Sequence, residues 1–150
     1  MKRSNLSKII SILLILLFIL GIISLFFLPN LYDIFKESNV SNFFDHNIYY
    51  IIAFYSCYIL SLTIIFVLIN LFSIIYKDSP FNIKIKKYLK IIAIIFMLLF
   101  IIVIIKSIFI PTILSFAVAI ICFIVSLSFY VLEQIIKSAI IYKNEVELTV

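Results

Sequence analysis

Four long apolar runs constrain this chain more than any other feature. They cover residues 9–28, 51–75, 89–110 and 113–132. A helix needs about 20 residues to cross the ~30 Å hydrocarbon core of a bilayer, and each run is about that long. The sequence therefore predicts an all-α protein. We expect an integral membrane bundle of four antiparallel transmembrane helices, forming a single domain over residues 1–150.

Composition excludes other classes of protein. The chain is 66% hydrophobic with a mean hydropathy of +1.34, which a soluble domain could not carry on its surface. One glycine and three prolines provide too few turn residues for a β-barrel. The net charge of +5 lies mainly at the ends of the apolar runs. Anionic lipid headgroups are therefore the expected partners, and direct nucleic-acid binding is not expected.

The basic residues predict the orientation. Of the 12 Lys and Arg residues, ten lie at the N-terminus, in the middle loop or in the C-terminal tail, and the other two are Lys36 and Lys106. The positive-inside rule then places both termini and the middle loop in the cytoplasm. The first run is longer than a signal-peptide core and lacks a small-residue cleavage pattern, so we expect it to be retained. The abundance of Ile, Phe, Asn and Lys suits an AT-rich bacterial genome, which indicates a multi-pass protein of the bacterial inner membrane.

The loops give further expectations. Pro29 should end the first helix and begin an outer loop that reaches Asn47. His46 beside Asp45 in that loop is interpreted as solvated rather than as a metal ligand. In the middle loop, Ser79 can cap a helix that begins near Pro80.

The last helix should pass beyond the membrane. A continuous helix from Ile113 to Tyr142 would be roughly 45 Å long. Within it, Glu133 and Lys137 are four residues apart and are expected to pair on the helix surface. The alternating tail from Glu145 to Val150 predicts an extended segment.

Catalytic chemistry is not expected. Residues 9–28, 51–75 and 113–132 contain no Asp, Glu, Lys, Arg or His, although buried ionisable residues usually mark membrane enzymes and coupled transporters. No cofactor-binding, metal-binding or nucleophile motif occurs. Cys57 and Cys122 are interpreted as packing residues rather than as a disulfide. The protein is therefore predicted not to be an enzyme.

Small and weakly polar residues form two stripes at helical spacing. Membrane helices pack through such residues, so both stripes are expected to face the bundle interior. A small channel or transporter built around Asn70 is the alternative interpretation. The stripes comprise Ser115, Ala119, Cys122 and Ser126 in the fourth helix and Ala53, Ser56, Thr63 and Asn70 in the second.

A resemblance extends over essentially the whole chain. The segment Asp78-Ser79-Pro80-Phe81 before the third run, together with the ending Glu145-Val146-Glu147-Leu148-Thr149-Val150, resembles the bacterial four-span membrane family catalogued as domain of unknown function 2975. The family often has arginine at Lys86 or Lys87, and aspartate at Glu147, and both changes keep the charge. The resemblance implies no established activity. It does imply a small helix-turn-helix regulator as a partner.

The candidate partner surface lies on the cytoplasmic side. We expect the acidic tail to fold back onto the loop lysines and to hold a soluble protein at the inner leaflet, with the tail adding as a strand to that partner or binding its groove. An immunity-type protein acting through the outer loop is a further alternative, and the chain could also associate with copies of itself. The expected surface comprises Asp78, Pro80, Phe81, Lys84, Lys86, Lys87, Glu145, Glu147 and Leu148.

Overall fold

The computed structural model describes residues 2–37, 48–77, 82–109, 111 and 113–149. Four helices account for nearly all of them. They are α1 (Lys2–Glu37), α2 (Ile48–Lys77), α3 (Ile83–Phe109) and α4 (Ile113–Leu148). All four are long and apolar enough to cross a membrane. The prediction of an all-helical chain with four such helices is confirmed.

Pro29 does not end the first helix, contrary to the sequence expectation. Helix α1 continues through Pro29 to Glu37. A proline inside a helix loses one backbone hydrogen bond, but ending a helix leaves several carbonyls without intrahelical partners. The predicted outer loop is therefore partly helical, and Asp45 and His46 lie outside the described residues.

The start of α3 also differs from the expectation. The helix begins at Ile83, and Asn82 caps it: the backbone N–H of Lys84 donates to Oδ1 of Asn82 at 3.1 Å. The backbone N–H of Ile85 donates to the carbonyl of Asn82 at 3.0 Å. Asn82 therefore fills the capping role predicted for Ser79, which lies outside the described residues together with Asp78, Pro80 and Phe81.

The predicted extended tail is wrong for residues 145–148, because α4 remains helical to Leu148. Thr149 then closes the helix. Its backbone N–H donates to the carbonyl of Glu145 at 3.2 Å, and its hydroxyl donates to the same carbonyl at 3.0 Å. A strand needs a neighbouring strand for its backbone hydrogen bonds, whereas a helix satisfies them internally.

The helices pack in chain order. Among the described residues, close backbone contacts join α1 to α2, α2 to α3 and α3 to α4, and the last pair has the most extensive contact. The buried core lies between α2, α3 and α4, with Ile92 fully buried near its middle. Its members are Ile64, Val67, Leu71, Ile85, Leu89, Ile92, Ile95, Leu99 and Cys122.

Candidate functional site

An ion pair with a buried carboxylate joins α3 to α4. Nζ of Lys86 lies 3.7 Å from Oε1 of Glu133. The Glu133 side chain is 4% exposed and that of Lys86 is 34% exposed. The Gln134 amide donates a 2.9 Å hydrogen bond to the other carboxylate oxygen of Glu133. The expectation that Glu133 lies on the surface beside Lys137 is wrong, because its side chain is turned towards α3.

The neighbouring lysines have a different environment. The side chains of Lys84, Lys87 and Lys90 are exposed along the first two turns of α3, whereas Ile85 and Leu89 are buried. At about 100° per residue, the exposed lysines are centred roughly 180° from the two buried side chains, so the basic and buried faces lie on opposite sides of one helix. The exposed face is thus a basic surface beside the ion pair.

The ion pair also sets the relative height of the two helices. Ile83 lies three residues before Lys86, and Ile136 lies three residues after Glu133. If α3 and α4 run in opposite directions, Ile83 and Ile136 are at the same height along the two helix axes. Helix α4 continues for residues 137–148 beyond that level, which we call the projection. Twelve helical residues extend about 18 Å.

This geometry separates the lysines of the predicted partner surface from its acidic residues. Glu145 lies twelve residues after Glu133 on the same helix, about 18 Å further along its axis. The structure therefore does not bring Glu145 or Glu147 back to Lys84, Lys86 and Lys87. The expected folding back of the tail is wrong, and Leu148, which is 86% exposed, ends the projection.

The small-residue stripe of α4 is buried as predicted. The Ser126 hydroxyl donates to the carbonyl of Ala93 on α3 at 2.8 Å, and the Ser107 hydroxyl donates to that of Ser115 at 2.9 Å. Small side chains allow close approach of the two helices, and aromatic rings fill the space beside them. Phe96 and Phe129 are stacked, with ring centroids 6.1 Å apart. The stripe faces α3; its buried members are Ser115, Ala119, Cys122 and Ser126.

The corresponding prediction for α2 is wrong for Thr63, whose side chain is exposed, and Ser56 and Asn70 are only half-buried. All three bond to their own helix. Ser56 donates to the carbonyl of Ile52 at 2.6 Å, and Thr63 to that of Ile59 at 2.9 Å. The Asn70 amide donates to the carbonyl of Phe66 at 3.0 Å. The buried face of α2 instead consists of aliphatic side chains.

A polar contact between α1 and α2 was not anticipated from the sequence. The Tyr58 hydroxyl donates to the carbonyl of Gly21 at 2.7 Å and also contacts the Ser24 hydroxyl. A Cβ atom on Gly21 would lie 2.5 Å from Cδ2 of Leu62. The single glycine of the chain therefore allows the close approach of these two helices.

Among the described residues, no group of three or more His, Cys, Asp and Glu side chains could hold a metal ion. Cys57 and Cys122 are free thiols, half-buried and buried respectively.

Glu133 is the residue of this region that sequence reasoning missed. It lies seven residues after Ser126, and therefore on the same face of α4 as the small-residue stripe. Extending the stripe by two turns would have predicted its contact with α3.

Comparisons with protein-family models, curated proteins and solved structures give no match.

Proposed function

We propose that the protein is a non-enzymatic, multi-pass protein of the bacterial cytoplasmic membrane that holds a small soluble regulator at the inner leaflet. The observation that carries this proposal is the projection. Helix α4 is 36 residues long, which corresponds to about 54 Å, whereas the bilayer including headgroups is ~40–45 Å thick. A plain span would not need this length.

In the proposed membrane orientation, both termini and the start of α3 lie in the cytoplasm. Contacts between the helices support antiparallel crossings: Phe18 packs against Phe66, whereas Ser24 contacts Tyr58. The basic residues support the same sidedness. Reporter fusions after Asn39 and after Lys84 are expected to be extracytoplasmic and cytoplasmic respectively, and the reverse pattern would reject this orientation.

The partner surface of the proposal has two parts. The first is the exposed basic face of Lys84, Lys87 and Lys90, which would attract an acidic protein surface or lipid headgroups. The second is the projection, which carries exposed Glu145 and Glu147 beside apolar side chains. Since this segment is helical, a partner would bind it as a helix rather than pair with it as an added strand.

A helix-turn-helix regulator is the proposed partner because residues 78–81 and 145–150 resemble the four-span family named above, and that resemblance implies such a partner. We would reconstitute the full-length protein in liposomes and measure recruitment of a purified small helix-turn-helix regulator from the same organism. Truncation after Asn144 is expected to reduce recruitment while insertion of the protein is retained.

The basic face is tested separately with Lys84→Gln/Lys87→Gln. Lys8→Gln serves as a control, because Lys8 is exposed near the same proposed membrane surface at the start of α1. Weakened recruitment by the double variant but not by Lys8→Gln supports a local docking surface. Undiminished recruitment by both the truncated protein and the double variant would reject the anchoring function.

The channel alternative has less support, because the amide of Asn70 is bonded to its own helix backbone. It predicts that conductance or uptake in proteoliposomes is lost in Asn70→Leu. Our proposal predicts no such transport. For the immunity-type alternative, residues 38–47 of the outer loop lie outside the described residues, and hypersensitivity of a deletion strain to membrane-active peptides would favour it.

A further inference from the structure

An exposed apolar stripe runs along α4 on the side away from α3. Each helical residue turns by about 100°, so Ile135 and Tyr142 lie about 160–180° from the buried Glu133. Their exposed fractions are 56% and 69%. The spacing is close to a heptad repeat, which is the period that allows two helices to remain in contact. This outer stripe comprises the apolar or aromatic Ile121, Ile124, Ile135, Tyr142 and Val146, together with the hydroxyl-bearing Ser128.

The two ends of the outer stripe have different surroundings under the proposed orientation. Ile121 and Ile124 lie within the apolar run, where lipid can cover them. Tyr142 and Val146 lie in the projection. Because α4 continues as one helix, these side chains extend away from the hydrocarbon and would contact water. An occupant that covers the whole stripe must lie alongside α4 over a similar length.

The charges beside the stripe favour one such occupant. Lys143 is turned by about 100° to one side of Tyr142, and Glu145 is turned by about 60° to the other side. When two parallel helices pack about a two-fold axis, opposite edges of the two stripes come together. Lys143 of one copy would then lie beside the Glu145 edge of the second, at nearly the same height. Antiparallel packing would instead bring like charges together.

We propose that α4 pairs with α4 of a second copy in a parallel dimer through the outer stripe, with the two projections forming a two-helix rod above the inner leaflet. The parallel arrangement rests on the proposed membrane orientation, since copies inserted in the same direction have parallel α4 helices. The polar sides of the two projections remain available to a soluble partner.

Cysteine cross-linking tests the contact face directly. In a Cys57→Ala/Cys122→Ala background, Tyr142→Cys is compared with Asn144→Cys, which is turned by about 200° from Tyr142. Purified protein in liposomes is treated with a short bifunctional maleimide, with no other protein present. We expect a cross-linked dimer for Tyr142→Cys and no cross-linked dimer for Asn144→Cys. Equal cross-linking at both positions, or none at residue 142, would overturn the proposal.

The charged edges provide an independent test that retains the wild-type stripe. Lys143→Glu is expected to weaken dimerisation roughly three- to ten-fold, the order expected for two exposed ion pairs. The reciprocal double variant Lys143→Glu/Glu145→Lys should restore it. Mass measurement in detergent should give about twice 17.5 kDa for the dimer. A monomeric wild-type protein, or a double variant no better than the single one, would reject this geometry.

The same samples identify a lipid-covered stripe. If the mass measurement shows a monomer and the Tyr142→Cys thiol does not react with a water-soluble maleimide, the bilayer covers this side chain. The dimer proposal then fails. Because the regulator is absent from these measurements, their outcome is independent of whether the protein anchors a regulator.

Discussion

The Nζ atom of Lys86 on α3 lies 3.7 Å from Oε1 of Glu133 on α4, and the carboxylate is almost fully buried between the two helices. A buried carboxylate is costly unless a positive charge and hydrogen bonds compensate for it. Lys86 and Gln134 supply these at this position. The pair therefore favours one register of α3 against α4, and this register determines how far α4 projects.

Lys86→Met is expected to lower the free energy of unfolding by roughly 1–3 kcal/mol, because it leaves the Glu133 carboxylate without its partner. This is less than the ~3–5 kcal/mol of a fully buried pair, since Lys86 is partly solvated. Lys84→Met, at an exposed position, is the matched control. Thermal unfolding in detergent should also show recovery in Lys86→Met/Glu133→Leu. Equal effects at Lys84 and Lys86 would contradict a specific pair.

Gly21→Val is expected to separate α1 from α2. The added side chain would overlap the end of Leu62, since even a Cβ atom would lie 2.5 Å from Leu62 Cδ2. Overpacking of this kind typically costs ~1–3 kcal/mol. Leu62→Ala should partly restore the thermal stability of the valine variant. Failure of the second substitution to recover any stability would mean that Leu62 does not limit the approach of the two helices.

Ser126→Leu is expected to destabilise the α3–α4 contact by about 1–3 kcal/mol because the buried site has no space for the larger side chain. Ser126→Ala removes only the bond to the Ala93 carbonyl, with an expected cost of ~0.6 kcal/mol. Ser61 is the matched control, since it is exposed and bonds to the Cys57 carbonyl of its own helix. Unfolding in a denaturing detergent should rank Ser126→Leu as the least stable and Ser61→Leu near wild type.

Asn82→Ala is expected to destabilise the start of α3 by ~1 kcal/mol, the usual effect of losing an N-cap. Asn82→Asp retains an oxygen acceptor for the Lys84 N–H and should be tolerated. Hydrogen exchange at Lys84 and Ile85 measures the local effect, and Asn144→Ala is the control in an exposed part of α4. Unchanged exchange in Asn82→Ala would show that the cap does not stabilise this turn.

Part of the contact between α3 and α4 follows from the sequence. Ser115, Ala119, Cys122 and Ser126 recur at helical spacing and are buried together. The same kind of stripe in α2 misled the prediction, because Thr63 bonds to its own backbone and is exposed. Hydroxyl groups in membrane helices can be satisfied within one helix, so their spacing alone does not identify a packed face.

The sequence by itself determined that the chain forms four long apolar helices, because run length and hydropathy are local properties. Only the tertiary structure decided how these helices pack. Whether Glu133 faces water or α3 depends on competition between its local preference for solvent and its contact with Lys86 on α3. Such a contact can offset the cost of burying a charge, and it joins residues far apart in the chain.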